Sequence, residues 1–374
     1  MNYTDIQSGL KNLFSSNRQH IELPWPGISI FNLSYRSALP EPGFISAEDR
    51  QIEENYQFTY PVFAPSRKSS KVILFLHGLN ERSWKKYLSW AYTLAENTSS
   101  YVVMFPLSFH INRAPSWWSN PHDMTAVMNE RLMTTGDSDT LSFANAALSA
   151  RMAEEPMRFF NSGYQTAMDI VDLLARIRDG RHEIIPAQCS LNIFAYSIGA
   201  FLGQILMLAN PEGLLADSKL FMFCGGCVFS NMNGRSKNIM DTQSFNELID
   251  FYQSRFEKTI ADENRTFSAM FSNQVGVAFR SMIDMERFGN YRKNRFVAIR
   301  NRVRAIALAR DVVIPAEKII ETLSETGDSN TVKVADFPFP YSHENPFPLL
   351  KTAISTEVDR SFESIFSEAS VFLS

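Results

Sequence analysis

The chain has 374 residues, 45% hydrophobic and 20% charged, a balance that excludes a disordered polymer and suits one large α/β domain with or without an insertion. A formal net charge of −4 gives no electrostatic reason to expect a nucleic-acid partner, and no apolar run is long enough to span a bilayer. Three cysteines, an odd number, argue against a disulfide framework and point to a reducing, cytoplasmic setting.

Met1-Asn2-Tyr3-Thr4-Asp5 lacks the basic and apolar stretches of a secretory signal, and leads into a short amphipathic start at Ile6, Leu10, Leu13 and Phe14. Residues 28–33 and 56–63 alternate like antiparallel edge strands, punctuated by Pro24, Pro26, Pro40, Pro42 and Pro65. Lys71 to Leu76 is a continuous apolar run of the kind a strand covered on both faces needs, and it ends in His77-Gly78-Leu79-Asn80. Trp84, Tyr87, Leu88, Ala91, Leu94 and Ala95 follow at helical spacing, then Tyr101 to Phe105 forms another buried strand stopped by Pro106. This β–α–β order implies a parallel sheet.

From Leu107 to about Pro156 the pattern is irregular, as expected of an excursion over the carboxyl edge of the sheet. Phe160, Tyr164, Ala167, Val171 and Leu174 then line a helix face that Gly180 closes. The apolar run Ser190 to Tyr196 arrives at Ser197, and a helical pattern starts at once with Ala200, Leu202, Ile205 and Leu206. A strand that turns sharply into a helix strains its corner residue and exposes that side chain at the helix amino end. Only small residues fit on either side, where the two backbones nearly touch, and Ala195 and Gly199 meet that demand. Ser197 therefore reads as a nucleophile at such a corner.

Leu220 to Cys224 is a further strand. Residues 229–302 show no convincing strand, only helical faces rich in Phe and Met (Phe245, Leu248, Tyr252, Phe256, Phe267, Phe271, Phe279, Met282), so an inserted helical cap is expected there. The sheet resumes at Val303 to Ala309, followed by Asp311, a short helix opened by Pro315, and a last strand from Thr331 to Ala335. A loop carrying His343 and a final amphipathic helix (Ile354, Val358, Phe362, Ile365, Phe366) complete the chain.

Over roughly residues 28–370 the chain resembles the α/β-hydrolase superfamily, on the His77-Gly78 turn, the corner Ala195-Tyr196-Ser197-Ile198-Gly199 and the order Ser…Asp…His. The resemblance implies an α/β-hydrolase fold, a mostly parallel twisted sheet covered by helices on both faces. Residues 1–228 and 303–374 would form its core and 229–302 the cap. It implies Ser197 as nucleophile, His343 as base and Asp311 as acid, with oxyanion amides from Leu79 and Ile198. The first corner position is Ala195 where the family usually has Gly, a version similar to that of some bacterial lipases.

Independently of any family, His343 is the sole histidine after Ser197. A hydroxyl needs an adjacent base to attack near neutral pH, and a carboxylate must hold the imidazole in its working tautomer. Asp336 also ends a strand and competes with Asp311 for that task. Glu344 neighbours the histidine and is the weakest of the three, because an adjacent side chain usually points away from the ring. His77 is expected to brace the oxyanion loop.

Cys224-Gly225-Gly226-Cys227 reads as a glycine turn at a strand end rather than a redox or metal pair. Arg287, Arg292, Lys293, Arg295, Arg300, Arg302 and Arg304 read as a solvated face of the cap, and Trp117-Trp118 as core. The function expected is acyl-enzyme hydrolysis of a small-molecule carboxylic ester, with no metal or cofactor. Thioester or amide cleavage by the same triad, and a non-catalytic binding protein on the same fold, stay open. Oligomeric state is left open as well.

Overall fold

The structure, a computed structural model, describes residues 1–38, 44–262, 265–349 and 354–374. Pro40, Pro42 and the side chain of Phe267 lie outside the described residues.

Helix α1 (Tyr3–Leu13) precedes strands β1 (His20–Glu22) and β2 (Ile28–Arg36), a short helix α2 (Ala47–Arg50), and β3 (Gln57–Pro65). The three-residue β1 escapes the sequence reading because it is too short to show a period. Strand β4 (Lys71–Leu76), helix α3 (Leu88–Thr98) and β5 (Tyr101–Met104) form the expected β–α–β unit. The stretch expected to be irregular is largely helical: α4 (Pro121–Thr135) and α5 (Ala146–Glu154) lie ahead of the long α6 (Arg158–Arg178). Asn120 caps α4 by accepting from the His122 N–H, Pro121 opens it and Gly136 closes it. These end signals outweigh a helix face with a single fully buried residue, Met124.

Strand β6 (Ser190–Tyr196) runs into α7 (Ile198–Ala209), and β7 (Leu220–Phe223) follows. Residues 229–302 contain α8 (Thr242–Asp250), α9 (Phe256–Asp262), α10 (Arg265–Ser272), α11 (Gln274–Ser281) and α12 (Gly289–Ile299). Strand β8 (Val303–Leu308), α13 (Ala316–Leu323), β9 (Val332–Ala335) and α14 (Ser355–Leu373) complete the order.

The sheet runs β1-β2-β3-β5-β4-β6-β7-β8-β9. Pairings from β1 to β5 are antiparallel, and those from β5 through β4 and β6 to β9 are parallel. Alternate residues of β4 feed two cores. Val72, Leu74 and Leu76 pack with α6, α7 and the helices of 229–302, whereas Ile73 and Phe75 pack with α1, α3 and α14. A strand buried on both faces must be apolar throughout, hence the unbroken run. No helix among the described residues is long and apolar enough to cross a membrane.

Candidate active site

The corner after β6 sets the site. Ser197 has φ 58° and ψ −125°, a backbone region that costs a non-glycine residue about 1–3 kcal/mol. Its neighbours explain why the strain is held. A Cβ on Gly199 would lie 2.5 Å from the Leu76 carbonyl oxygen and 2.7 Å from that of His77, so β4 and α7 approach closely only because this residue has no side chain. Ala195 occupies the other small position, and its Cβ is 3.5 Å from where a Cβ would stand on Gly203. That distance is ordinary contact; what a side chain at Gly203 would crowd is Leu220, whose Cδ1 would lie 3.0 Å from the added Cβ.

Ser197 Oγ is 2.7 Å from His343 Nε2, and His343 Nδ1 is 2.7 Å from Asp311 Oδ2. A carboxylate accepts, so Nδ1 carries the proton and Nε2 presents its lone pair to the serine hydroxyl. The other oxygen of Asp311 accepts from the backbone N–H groups of Val313 and Ile314, both at 2.9 Å, which fixes the carboxylate against rotation. All three residues are buried, at 4–5% exposure.

The structure separates the rival carboxylates from the ring. Asp336 is exposed and pairs with Arg310 and the Tyr341 hydroxyl, each at 2.8 Å. Glu344 turns away to accept from Ser236 Oγ at 2.6 Å. The His343 loop is anchored through its backbone: Tyr196 donates to the His343 carbonyl, and Lys86 Nζ to the Glu344 carbonyl at 3.2 Å. Lys86 also pairs with Glu81 and lies over the rings of Tyr87 and Tyr196.

The expected oxyanion loop lies beside this relay. His77 is buried; its Nε2 accepts from Leu107 N–H at 3.0 Å, so Nδ1 is the protonated nitrogen and donates to the Gly78 carbonyl at 2.8 Å. Burial, reinforced by nearby His110, holds His77 well below the usual imidazole range, so it stays neutral and braces the loop. The Gly78 N–H is taken by Tyr87 Oη at 3.1 Å, whereas those of Leu79 and Ile198 donate to no acceptor among the described residues. Asn80, at φ 58°, ties the loop to both helical insertions by donating to Ala144 O at 2.8 Å and Asn238 O at 2.7 Å.

Two cavities meet at Leu79. A narrower one is lined by Ile198, Phe159, Phe201, Leu202, Ile205 and Phe279. A wider one lies under Trp118 and α5, and shares Leu79, Ser108, His110, Phe159 and Ser162 with the first. Ser197 and His343 line neither cavity; the two unpaired amide residues are the link between them and the relay.

Two expectations about the surroundings change. Trp117 is 51% exposed and Trp118 lines the wider cavity, so the pair is not core. The basic run is a solvated face only in part: Lys293 and Arg300 are exposed, whereas other members turn inward. Arg292 is fully buried, holding both carboxylate oxygens of Glu325 at 2.8 Å and the carbonyls of Ser281, Asp284 and Met285. Arg295 caps the carboxyl end of α7 through the Leu208 and Ala209 carbonyls, and Arg302 holds those of Leu215 and Ser218. Most Phe residues of 229–302 are core, with Phe279 reaching the narrower cavity.

Cys224 and Cys227 are buried, unbridged thiols whose pKa burial pushes up, which opposes thiolate chemistry. The glycine between them at 225 has a packing reason: a Cβ there would lie 2.6 Å from Ala200 Cβ and 2.8 Å from the Ser197 carbonyl. Sequence reasoning missed Asn80, Arg82, Lys86 and His110. Asn80 follows directly on the His77-Gly78 turn, and that adjacency was its available signal.

The sequence profile of a "Family of unknown function (DUF6051)" matches residues 31–374, and the chain belongs to that family. No curated protein matches. Among solved structures, carboxyl esterase 2 from the mycorrhizal fungus Tuber melanosporum is 9% identical, covers 95% of this chain and 89% of its own, and has a TM-score of 0.51. A highly thermostable carboxyl esterase from Bacillus coagulans is 12% identical over 92% and 99% of the two chains, with a TM-score of 0.46. At these identities the likeness shows the fold alone: an α/β-hydrolase fold over nearly the whole chain.

Proposed function

We propose that this member of the DUF6051 family is a serine hydrolase that cleaves carboxylic esters through an acyl-enzyme. The observation that carries the reading is the continuous relay Ser197–His343–Asp311 at a strained strand-to-helix corner. His343 Nε2 takes the Ser197 proton as Oγ attacks the ester carbonyl. The negative charge that develops on the carbonyl oxygen is met by the amides of Leu79 and Ile198. As the tetrahedral intermediate collapses, His343 returns that proton to the departing alcohol oxygen. Water then attacks the acyl-serine with His343 again as base, releasing the acid and restoring the hydroxyl.

Asp311 stabilises the imidazolium formed in each half-reaction and keeps Nε2 facing the serine. The helical segment 229–302, with α4 and α5, acts in this reading as a cap that keeps bulk water from the acyl-enzyme. The unbridged cysteines support a reducing, cytoplasmic setting for it.

The experiment is labelling with a fluorophosphonate, which phosphonylates only an activated serine. Wild-type protein is expected to label, and Ser197→Ala and His343→Ala are not, because the groups act as a unit. Equal labelling of wild type and Ser197→Ala would overturn the assignment. Matched ester, thioester and amide substrates then establish which bond is cleaved fastest.

A further inference from the structure

We propose that the wider cavity receives a substrate arm ending in a carboxylate, which Arg82 binds. This inference rests on the hydrolase reading above and names its substrate class.

The wall of that cavity holds three arginines, and their charges are not equally compensated. Arg151 lies on the buried carboxylate of Asp49, with Nη1 and Nη2 at 2.6 and 3.1 Å. Arg158 meets Asp49 at 2.9 Å as well as Glu154 and Glu155. Glu81, also in the wall, is matched by Lys86. Arg82 is left over: Nη2 donates to the carbonyls of Phe143 and Ala144, and no carboxylate among the described residues pairs with it. A half-buried guanidinium with Nε and Nη1 unclaimed is therefore available to a ligand, and it stands three residues from the Leu79 amide.

A buried polar side chain faces the same cavity. His110 is 8% exposed and lines both cavities. Its Nδ1 donates to the Ser108 carbonyl at 2.9 Å, which leaves Nε2 as an acceptor, and that buried atom has no partner among the described residues.

Arg82 is the one guanidinium of this wall that meets no carboxylate among the described residues, and a carboxylate is the charge-assisted acceptor that its free N–H groups can take. Trp118 stacks on Arg151 at 4.4 Å and, with Ile111, gives an apolar flank for the methylenes that join such a group to the ester. The narrower cavity is apolar apart from Ser108, His110, Ser162 and Thr166 and suits the short arm on the other side of the scissile bond.

The test compares 4-nitrophenyl half-esters of adipic and suberic acid with their methyl-capped, neutral counterparts, reading the ratio of kcat/KM within each pair. Wild-type protein is expected to favour the charged member at least tenfold at low salt. Arg82→Gln brings the ratio to about one, and Arg82→Lys retains part of it. A wild-type ratio of one or less, or a preference that survives Arg82→Gln, overturns the inference. Fluorophosphonate labelling of the same wild-type preparation separates the two failures: labelling without charge preference sinks this inference alone, and absence of labelling sinks the hydrolase reading and this inference with it.

Discussion

The floor of the candidate site and the helices above it are held in place by different physics. On the floor, β4, β6 and α7 are locked by backbone proximity: Gly199 and Gly225 give up side chains so that carbonyls can approach, and Ser197 accepts a strained φ. In the helical insertions, order comes from long side chains gripping backbone carbonyls and carboxylates. Arg131 of α4 reaches Asp241 at 2.8 Å and Ser244 of α8 at 2.6 Å, Asn145 binds Ser236 O at 2.8 Å, and Arg292 gathers the carbonyls around α12. Backbone packing tolerates almost no change in residue size, whereas a clamp depends on one charged group finding its partner. The floor should therefore fail in chemistry and the insertions in stability.

The largest expected effect is on the floor. Asp311→Asn keeps the shape but lets the imidazole of His343 take the wrong tautomer, and kcat for ester hydrolysis should fall on the order of 10⁴-fold. Asp336→Asn, 25 residues on and also beside a strand end, should leave kcat indistinguishable from wild type. Similar losses in the two variants would mean that the relay assignment is wrong.

Next comes the clamp. Arg292→Met removes a fully buried guanidinium and strands Glu325 and several carbonyls, an uncompensated arrangement that should cost about 3–5 kcal/mol in urea unfolding. Because the loss lies away from the relay, fluorophosphonate labelling of the surviving folded fraction should persist. A stability loss below about 1 kcal/mol would show that the insertions are held by packing after all.

This contrast also explains how much was legible in advance. Backbone-driven features leave marks in sequence: the apolar run of β4, the small residues about Ser197, and the strand ends that deliver Asp311 and His343. Side-chain clamps leave almost none. Arg292, Arg295 and Arg302 have the composition of a solvated face, and only three-dimensional proximity to α7 and Glu325 shows them turned inward. Likewise α4 was hidden because its stabilising signals sit at its two ends, at Asn120 and Gly136, while its middle buries little. Arg82 and His110 escaped for a third reason: what marks them is the partner they lack, which no sequence displays.

The smallest effect lies at the seam between floor and insertions, where His77 and His110 meet at a centroid distance of 5.5 Å. Burial pushes His110 down to about 4, with Arg151 and Arg113 opposing a further positive charge, and lowers His77 well below its ordinary range. Both therefore stay neutral in the folded chain at pH values where the unfolded chain protonates them. The unfolded state then binds more protons, so stability must fall as pH drops below about 6.5, and His110 alone stops contributing to that fall near pH 4. Its share over that window is about 3 kcal/mol. Urea midpoints measured from pH 7.5 to 4.5 should fall less steeply in His110→Gln than in wild type. Equal slopes would mean that His110 is hydrated enough to titrate normally, which would remove the buried, unpartnered acceptor from the seam.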